Sequence, residues 1–197
     1  MIDIPSLGMS SPIPPNTTMS EVAGVIATLI ESLSLGACHV FGLHTGGKVA
    51  AALSAHWPDK VKTMMIFGKT HSIFANQDDR NRAMKEQSEK PDSVILRTEG
   101  KFLDEGSDSP GMSRLYEANF AFDMAAAVAR CQAPLLVTEI TSPEEDERFG
   151  RQGQFLAALA SHGQYATLPQ IDVTGLDMYA GAKNTADAIS AFIEAHD

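Results

Sequence analysis

The chain has 197 residues, 44% hydrophobic and 20% charged, with a formal net charge of −10. This length suffices for the core of one ordinary domain, and the acidic balance argues against nucleic acid or an anionic membrane surface as the main partner. Two cysteines without a C-x-x-C pair, an N-terminus without a signal-peptide pattern, and no apolar run near the roughly 18 residues of a membrane span together predict a cytoplasmic protein.

Residues 1–17 open on a short apolar run and pass into a loop rich in Pro and Ser. Thr18, with Glu21 three residues on, reads as a capping box at a helix start. Val22, Val25, Ile26, Leu29, Ile30 and Leu33 then follow the spacing of one helix face, and Gly36 fits the stop. Cys38 to Leu43 reads as a buried strand, and Thr45 to Trp57 as an Ala-rich helix that Pro58 ends. Val61 to Phe67 is the next strand. Helices and strands alternating over short connections predict a parallel sheet covered by helices.

Residues 69–130 break this rhythm with the charged run NQDDRNRAMKEQSEK, the loop DEGSDSPG and the helical stretch SRLYEANFAFDMAAAVARC. They read as an insertion between two sheet strands. Leu135 to Ile140 resumes the sheet, and Phe155 to Ala160 sits on a helix. A last short strand falls within Tyr165 to Val173, limited by Pro169 to an edge or bulge. Thr185 to Glu194 closes the chain as a helix with Ala186, Ile189, Phe192 and Ile193 on one side. The expected class is α/β, a mostly parallel sheet with helices on both faces. Residues 1–68 and 131–197 form its core, and 69–130 an inserted helical cap.

The stretch FGLHTGGKVA, Phe41 to Ala50, carries the chemistry. It runs from a strand through a tight turn into a helix. A strained residue at the centre of such a turn needs small flanking residues, which Gly42, Gly46 and Gly47 supply. The helix starting at Thr45 aims its N-terminus at the central side chain, so the dipole favours a neutral imidazole over an imidazolium. The glycine spacing alone is weak evidence; its place between an apolar strand and an Ala-rich helix makes it specific.

In these residues the sequence resembles the α/β-hydrolase family, whose elbow has the pattern G-x-S-x-G. IDIPSLGMSSP is similar to the family's D-x-P-G-x-G-x-S loop: Asp3, Pro5, Gly8 and Ser10 match, and Ser6 replaces the first glycine. HVFGLHTGGKVAAALSAHWPDKVKTMMIFG resembles elbow, helix, P-x-x-V and next strand, APLLVTEI the strand leading to the catalytic acid, and AISAFIEAHD the closing helix. The resemblance implies that fold, and a cap at 69–130.

It also marks four departures. His44 occupies the place of the nucleophilic serine. Counting from Pro134, the place of the acid falls on Pro143, with Glu144, Glu145 and Asp146 following. The place of the catalytic histidine falls in VTGLDMYAGAK, at Leu176 or Asp177. Three strands and a helix that precede the matched segments in the family, with one oxyanion-hole amide, have no counterpart. Without the family's third strand, Cys38 to Leu43 loses a neighbour, and such an edge invites pairing with another chain.

Three readings follow. In one, the protein acts on a small apolar ester- or carbonyl-type substrate, with His44 as base or nucleophile and the Thr45 backbone N–H receiving an oxyanion. Glu144, Asp146 and Asp177 are then the acid or base candidates, and Phe74, Phe102, Tyr116, Phe120 and Phe122 the candidate pocket roof. The plain alternative for the aromatics is packing of cap on sheet, and for the carboxylates a solvated loop. In the second reading the protein is a non-catalytic relative binding a small molecule or a protein. In the third it is an incomplete piece of a larger hydrolase. No cofactor is expected. No metal is expected either: His39 and His44 are five apart, and no H-x-x-x-H pair exists. Gly47-Lys48 is followed by Val49, which excludes a phosphate loop. The expected partners are a small molecule and, through the sheet edge, a second copy of the chain.

Overall fold

The computed structural model describes residues 2–67, 110–139, 152–167 and 178–197. The first helix, α1 (Met19–Ser32), starts at the capping box read from the sequence: the Thr18 hydroxyl accepts from the Glu21 N–H, and the Glu21 carboxylate from the Thr18 N–H. Strand β1 (Cys38–Leu43) leads into α2 (Thr45–His56), and a short 3-10 turn at Pro58–Lys60 leads into β2 (Val61–Phe67). Helices α3 (Pro110–Ala121) and α4 (Met124–Val128) precede β3 (Leu135–Glu139). Helix α5 (Gly153–Leu159), β4 (Gly163–Thr167) and α6 (Met178–Glu194) complete the described chain.

The four strands form one parallel sheet in the order β1-β2-β3-β4. Because all run the same way, their C-terminal ends share one edge. Side chains alternate between the two faces of each strand. Met64, Ile66, Leu135 and Val137 pack on one face in a large core with α1, α2, α4 and α5, while Met65, Phe67 and Leu136 pack on the other with Phe192 of α6. The two central strands are buried on both faces, which is why MMIF in β2 and LLV in β3 are continuous rather than alternating apolar runs.

Several boundaries differ from the sequence reading: the helical stretch SRLYEANFAFDMAAAVARC is split into α3 and α4 at Phe122 and Asp123, and α2 and α5 end at His56 and Leu159, one residue before Trp57 and Ala160. Strand β4 begins at Gly163 rather than Tyr165, and the predicted span beyond Thr167 lies outside the described residues. The early start comes from a turn only glycine fits: a Cβ on Gly163 would stand 1.9 Å from the Ala157 carbonyl oxygen. Helix α6 extends seven residues further toward its N-terminus than Thr185, taking in Met178 to Asn184. Of the predicted insertion, the described part is helical. Met124, Ala127 and Val128 of α4 join the large core, and Phe122 packs against it; Phe74 and Phe102 lie outside the described residues.

Polar ties fix the layers. On the α6 side the His39 imidazole bridges the Thr63 hydroxyl (2.9 Å) and the Asp197 carboxylate (3.1 Å), which also accepts from Lys62 (3.2 Å). Lys62, and to a lesser degree His39, hold the Asp197 carboxyl below its ordinary pKa. On the α2 side Lys48 is 1% exposed; its ammonium donates to the Asn119 carbonyl at 2.7 Å and lies 5.5 Å from the centre of the Phe120 ring. The stem of Lys48 thus crosses the core and binds α3 to α2. Replacing Lys48 with Met keeps the stem and deletes the charged donor. The expected cost is about 1.5–3 kcal/mol in urea unfolding; an unchanged midpoint would show that the tie carries no stability.

Candidate functional site

His44 sits between β1 and α2 with φ 49° and ψ −116°. A side chain at positive φ is strained, typically by about 1–3 kcal/mol, and persists only where its surroundings enforce it. They do so from both sides. The His44 N–H donates to the Phe67 carbonyl (3.0 Å), anchoring the turn to the end of β2, and the His44 carbonyl accepts from the Gly47 N–H (2.9 Å). A Cβ on Gly42 would stand 2.3 Å from the Gly46 carbonyl oxygen, and one on Gly47 would stand 2.9 Å from Ile66 Cγ2. Gly42 and Gly47 are therefore required by contact. Gly46 is not, since a Cβ there meets nothing within 4 Å.

The imidazole of His44 is exposed and caps no amide of α2. It stands where the strand ends and the helix begins, at the C-terminal edge of the sheet, which is where ligands sit in open α/β folds. Thr45, half-buried, is the first residue of α2. The first N–H groups of a helix have no acceptor within it, and they carry the positive end of its dipole. An exposed imidazole and such amides together suit a carbonyl that becomes an oxyanion. The other candidates from the sequence, Glu144, Asp146 and Asp177, lie outside the described residues.

Sequence reasoning missed Glu139, the last residue of β3. It is 5% exposed, and its carboxylate accepts from the Gln152 and Gly153 N–H groups and the Tyr165 hydroxyl, each at 2.8 Å. A buried carboxylate survives because three donors replace water, and two of these are N–H groups at the start of α5, where the helix dipole also favours negative charge. Glu139 is two strands from the elbow, roughly 10 Å at the usual strand spacing, and its oxygens are engaged. It closes the base of the 140–151 connection and does not reach His44 as a partner. Its one sequence signal was a carboxylate directly following a buried apolar run.

Among the described residues no group of three or more His, Cys, Asp or Glu is placed to hold a metal ion. Among them, too, no helix is long and apolar enough to cross a membrane.

No protein-family model matches the chain. A stretch of 65 residues is 35% identical to the dihydrolipoyllysine-residue acetyltransferase component of the acetoin cleaving system of Cupriavidus necator. That match spans 33% of this chain and only 17% of that protein. Solved structures resemble far more of it. A candidate non-heme bromoperoxidase from Mycobacterium tuberculosis aligns with a TM-score of 0.71 at 16% identity, over 98% of this chain and 79% of its own. An α/β hydrolase from a deep-sea metagenome of the Medee basin aligns at 0.70 and 18% identity, over 98% and 78%. The enol-lactonase of Burkholderia xenovorans aligns at 0.67 and 19% identity, over 95% and 78%. At such identities the likeness is one of fold.

The elbow geometry makes two predictions. Gly42→Ala forces Cβ into backbone and is expected to cost at least about 3 kcal/mol, whereas Gly46→Ala stays within about 1 kcal/mol of the parent; equal effects in parallel thermal melts would refute the packing described. At position 44 the usual ranking inverts: His44→Gly relieves the positive φ and is expected to be more stable than His44→Ala by about 1 kcal/mol, measurable as the difference between their urea midpoints.

Proposed function

From the α/β-hydrolase fold of this chain, we propose that it acts on a small apolar ester- or carbonyl-type substrate through chemistry centred on His44. The observation that carries the reading is the strained, braced placement of an exposed imidazole at the strand-to-helix elbow. Strain of this kind is retained where surroundings enforce a particular side-chain position, and such positions cluster at working sites. An enol-lactonase among the structural neighbours supports an ester-type substrate.

A neutral imidazole acts here in either of two ways. As a base it takes a proton from water while the water oxygen attacks the carbonyl carbon; the tetrahedral oxyanion then collapses, and the alkoxide leaves with the proton that the imidazolium returns. As a nucleophile its ring nitrogen attacks that carbon directly, the alkoxide leaves, and water then hydrolyses the acyl-imidazole. Either route puts negative charge on the former carbonyl oxygen, next to the Thr45 N–H. Glu144, Asp146 and Asp177 are the carboxylates proposed to orient the imidazole or receive its proton. A second reading, a non-catalytic protein that binds a small molecule in the same place, is favoured by His44 standing where the fold usually carries serine.

The test is hydrolysis of p-nitrophenyl acetate and butyrate by the purified chain. The expected result is turnover that His44→Ala lowers by at least about 100-fold, with Lys62→Ala, remote from the elbow, as an unaffected control. Turnover unchanged in His44→Ala would overturn the catalytic reading. No turnover in the parent, with ester analogues raising its melting temperature, would replace it with the binding reading.

A further inference from the structure

We propose that the side-chain oxygen of Asn119 is a recognition point at the His44 site, and that the site selects small carbonyl compounds bearing a hydroxyl group. The inference rests on the elbow being a ligand site, as proposed above, and adds the chemistry that the site selects.

Asn119 is 7% exposed, and among the described residues its Oδ1 has no hydrogen-bond partner. A buried acceptor left unpaired costs about 1–3 kcal/mol, whereas an apolar group of the same shape carries no such penalty. Packing alone therefore gives no reason for an amide rather than leucine at this position. The side chain lies on the inward face of α3. Asn119 follows Leu115 by four residues, a spacing that shares one helix face, and Leu115 is 2% exposed in the large core.

Lys48 ties this residue to the elbow. Its ammonium donates to the Asn119 backbone carbonyl at 2.7 Å. Lys48 follows His44 by four residues, so its Cα stands about one turn into α2. Helix side chains tilt toward the helix N-terminus, and the Lys48 stem leads back in the direction of the elbow. The last turn of α3 is thereby held beside the first turn of α2, where a ligand resting on His44 and the Thr45 amide would lie.

The same contacts define the ligand. An amide oxygen only accepts, so its partner must bring an O–H or N–H group. The Lys48 ammonium on the same residue disfavours a second cation, which selects a neutral donor, a hydroxyl, over an alkylammonium. One placed acceptor in a mostly apolar wall is how small-molecule sites fix orientation, and a site built around such a bond rejects the analogue that lacks the donor.

The test uses uncleaved amides, so it does not depend on turnover. Butyramide and its 2-, 3- and 4-hydroxy derivatives are titrated into the full chain, and binding is followed through the Thr45 amide signal by NMR. At least one hydroxylated amide is expected to bind at least about tenfold more tightly than butyramide. Asn119→Leu is expected to lose that preference, to keep its affinity for butyramide, and to melt no lower than the parent. Asn119→Asp keeps an acceptor and is expected to keep the preference. Thr138→Val serves as control: it removes the other buried oxygen without a partner, on the α6 face beside Phe67, and should leave the preference intact. Equal binding of all four amides to the parent, as when a water satisfies Asn119, overturns the inference and leaves the elbow reading standing. A preference that survives Asn119→Leu also overturns it. Binding of none of the four overturns both the inference and the ligand site it rests on.

Discussion

Between Gly42 and the Gly46 carbonyl oxygen there is no room for a Cβ, which would sit 2.3 Å away. That close approach lets α2 fold back directly onto the end of β1. Everything at the C-terminal edge follows from it. The chain must reverse within the few residues around His44, so His44 takes the positive φ. Its N–H is turned to the end of β2, and α2 begins at the next residue, Thr45. A larger residue at position 42 would push the helix off the strand, and the strain, the anchoring bond and the exposed imidazole would go together.

Around this edge the protein uses buried charge sparingly and with full partners. Glu139 holds the start of α5 through two backbone amides and Tyr165, and Lys48 holds α3 through the Asn119 carbonyl. Neither is a cheap way to fill a core, because desolvating a charge costs several kcal/mol before any bond is made. Among the described residues, the buried Asn119 Oδ1 and Thr138 Oγ1 have no hydrogen-bond partner.

The central strands are covered on both faces, whereas β1 has β2 as its one strand neighbour among the described residues, with the Phe41 ring resting on Phe67. The elbow hangs from this less protected strand.

Local patterns were legible from the residues alone where the physics is local. Thr18 and Glu21 satisfy each other across one helical turn, so the start of α1 was readable. Gly36 stops α1 ahead of β1, Pro58 ends α2, and Val61 to Phe67 was readable as the next strand. The strand-to-helix elbow was legible because tight turns impose glycine by contact at neighbouring positions. The start of β4 was not: it depends on Gly163 meeting the carbonyl of Ala157 in the preceding helix, a fit set by how two elements cross. The burial of Lys48 was not legible because its acceptor is 71 residues away, and the role of Glu139 needed both α5 and Tyr165 in place. Periodicity and turn chemistry act over a few residues and so are written in order along the chain. Which charges are buried, which glycines are indispensable and which strand is left at the edge depend on contacts between distant segments, and these exist only after the sheet has formed.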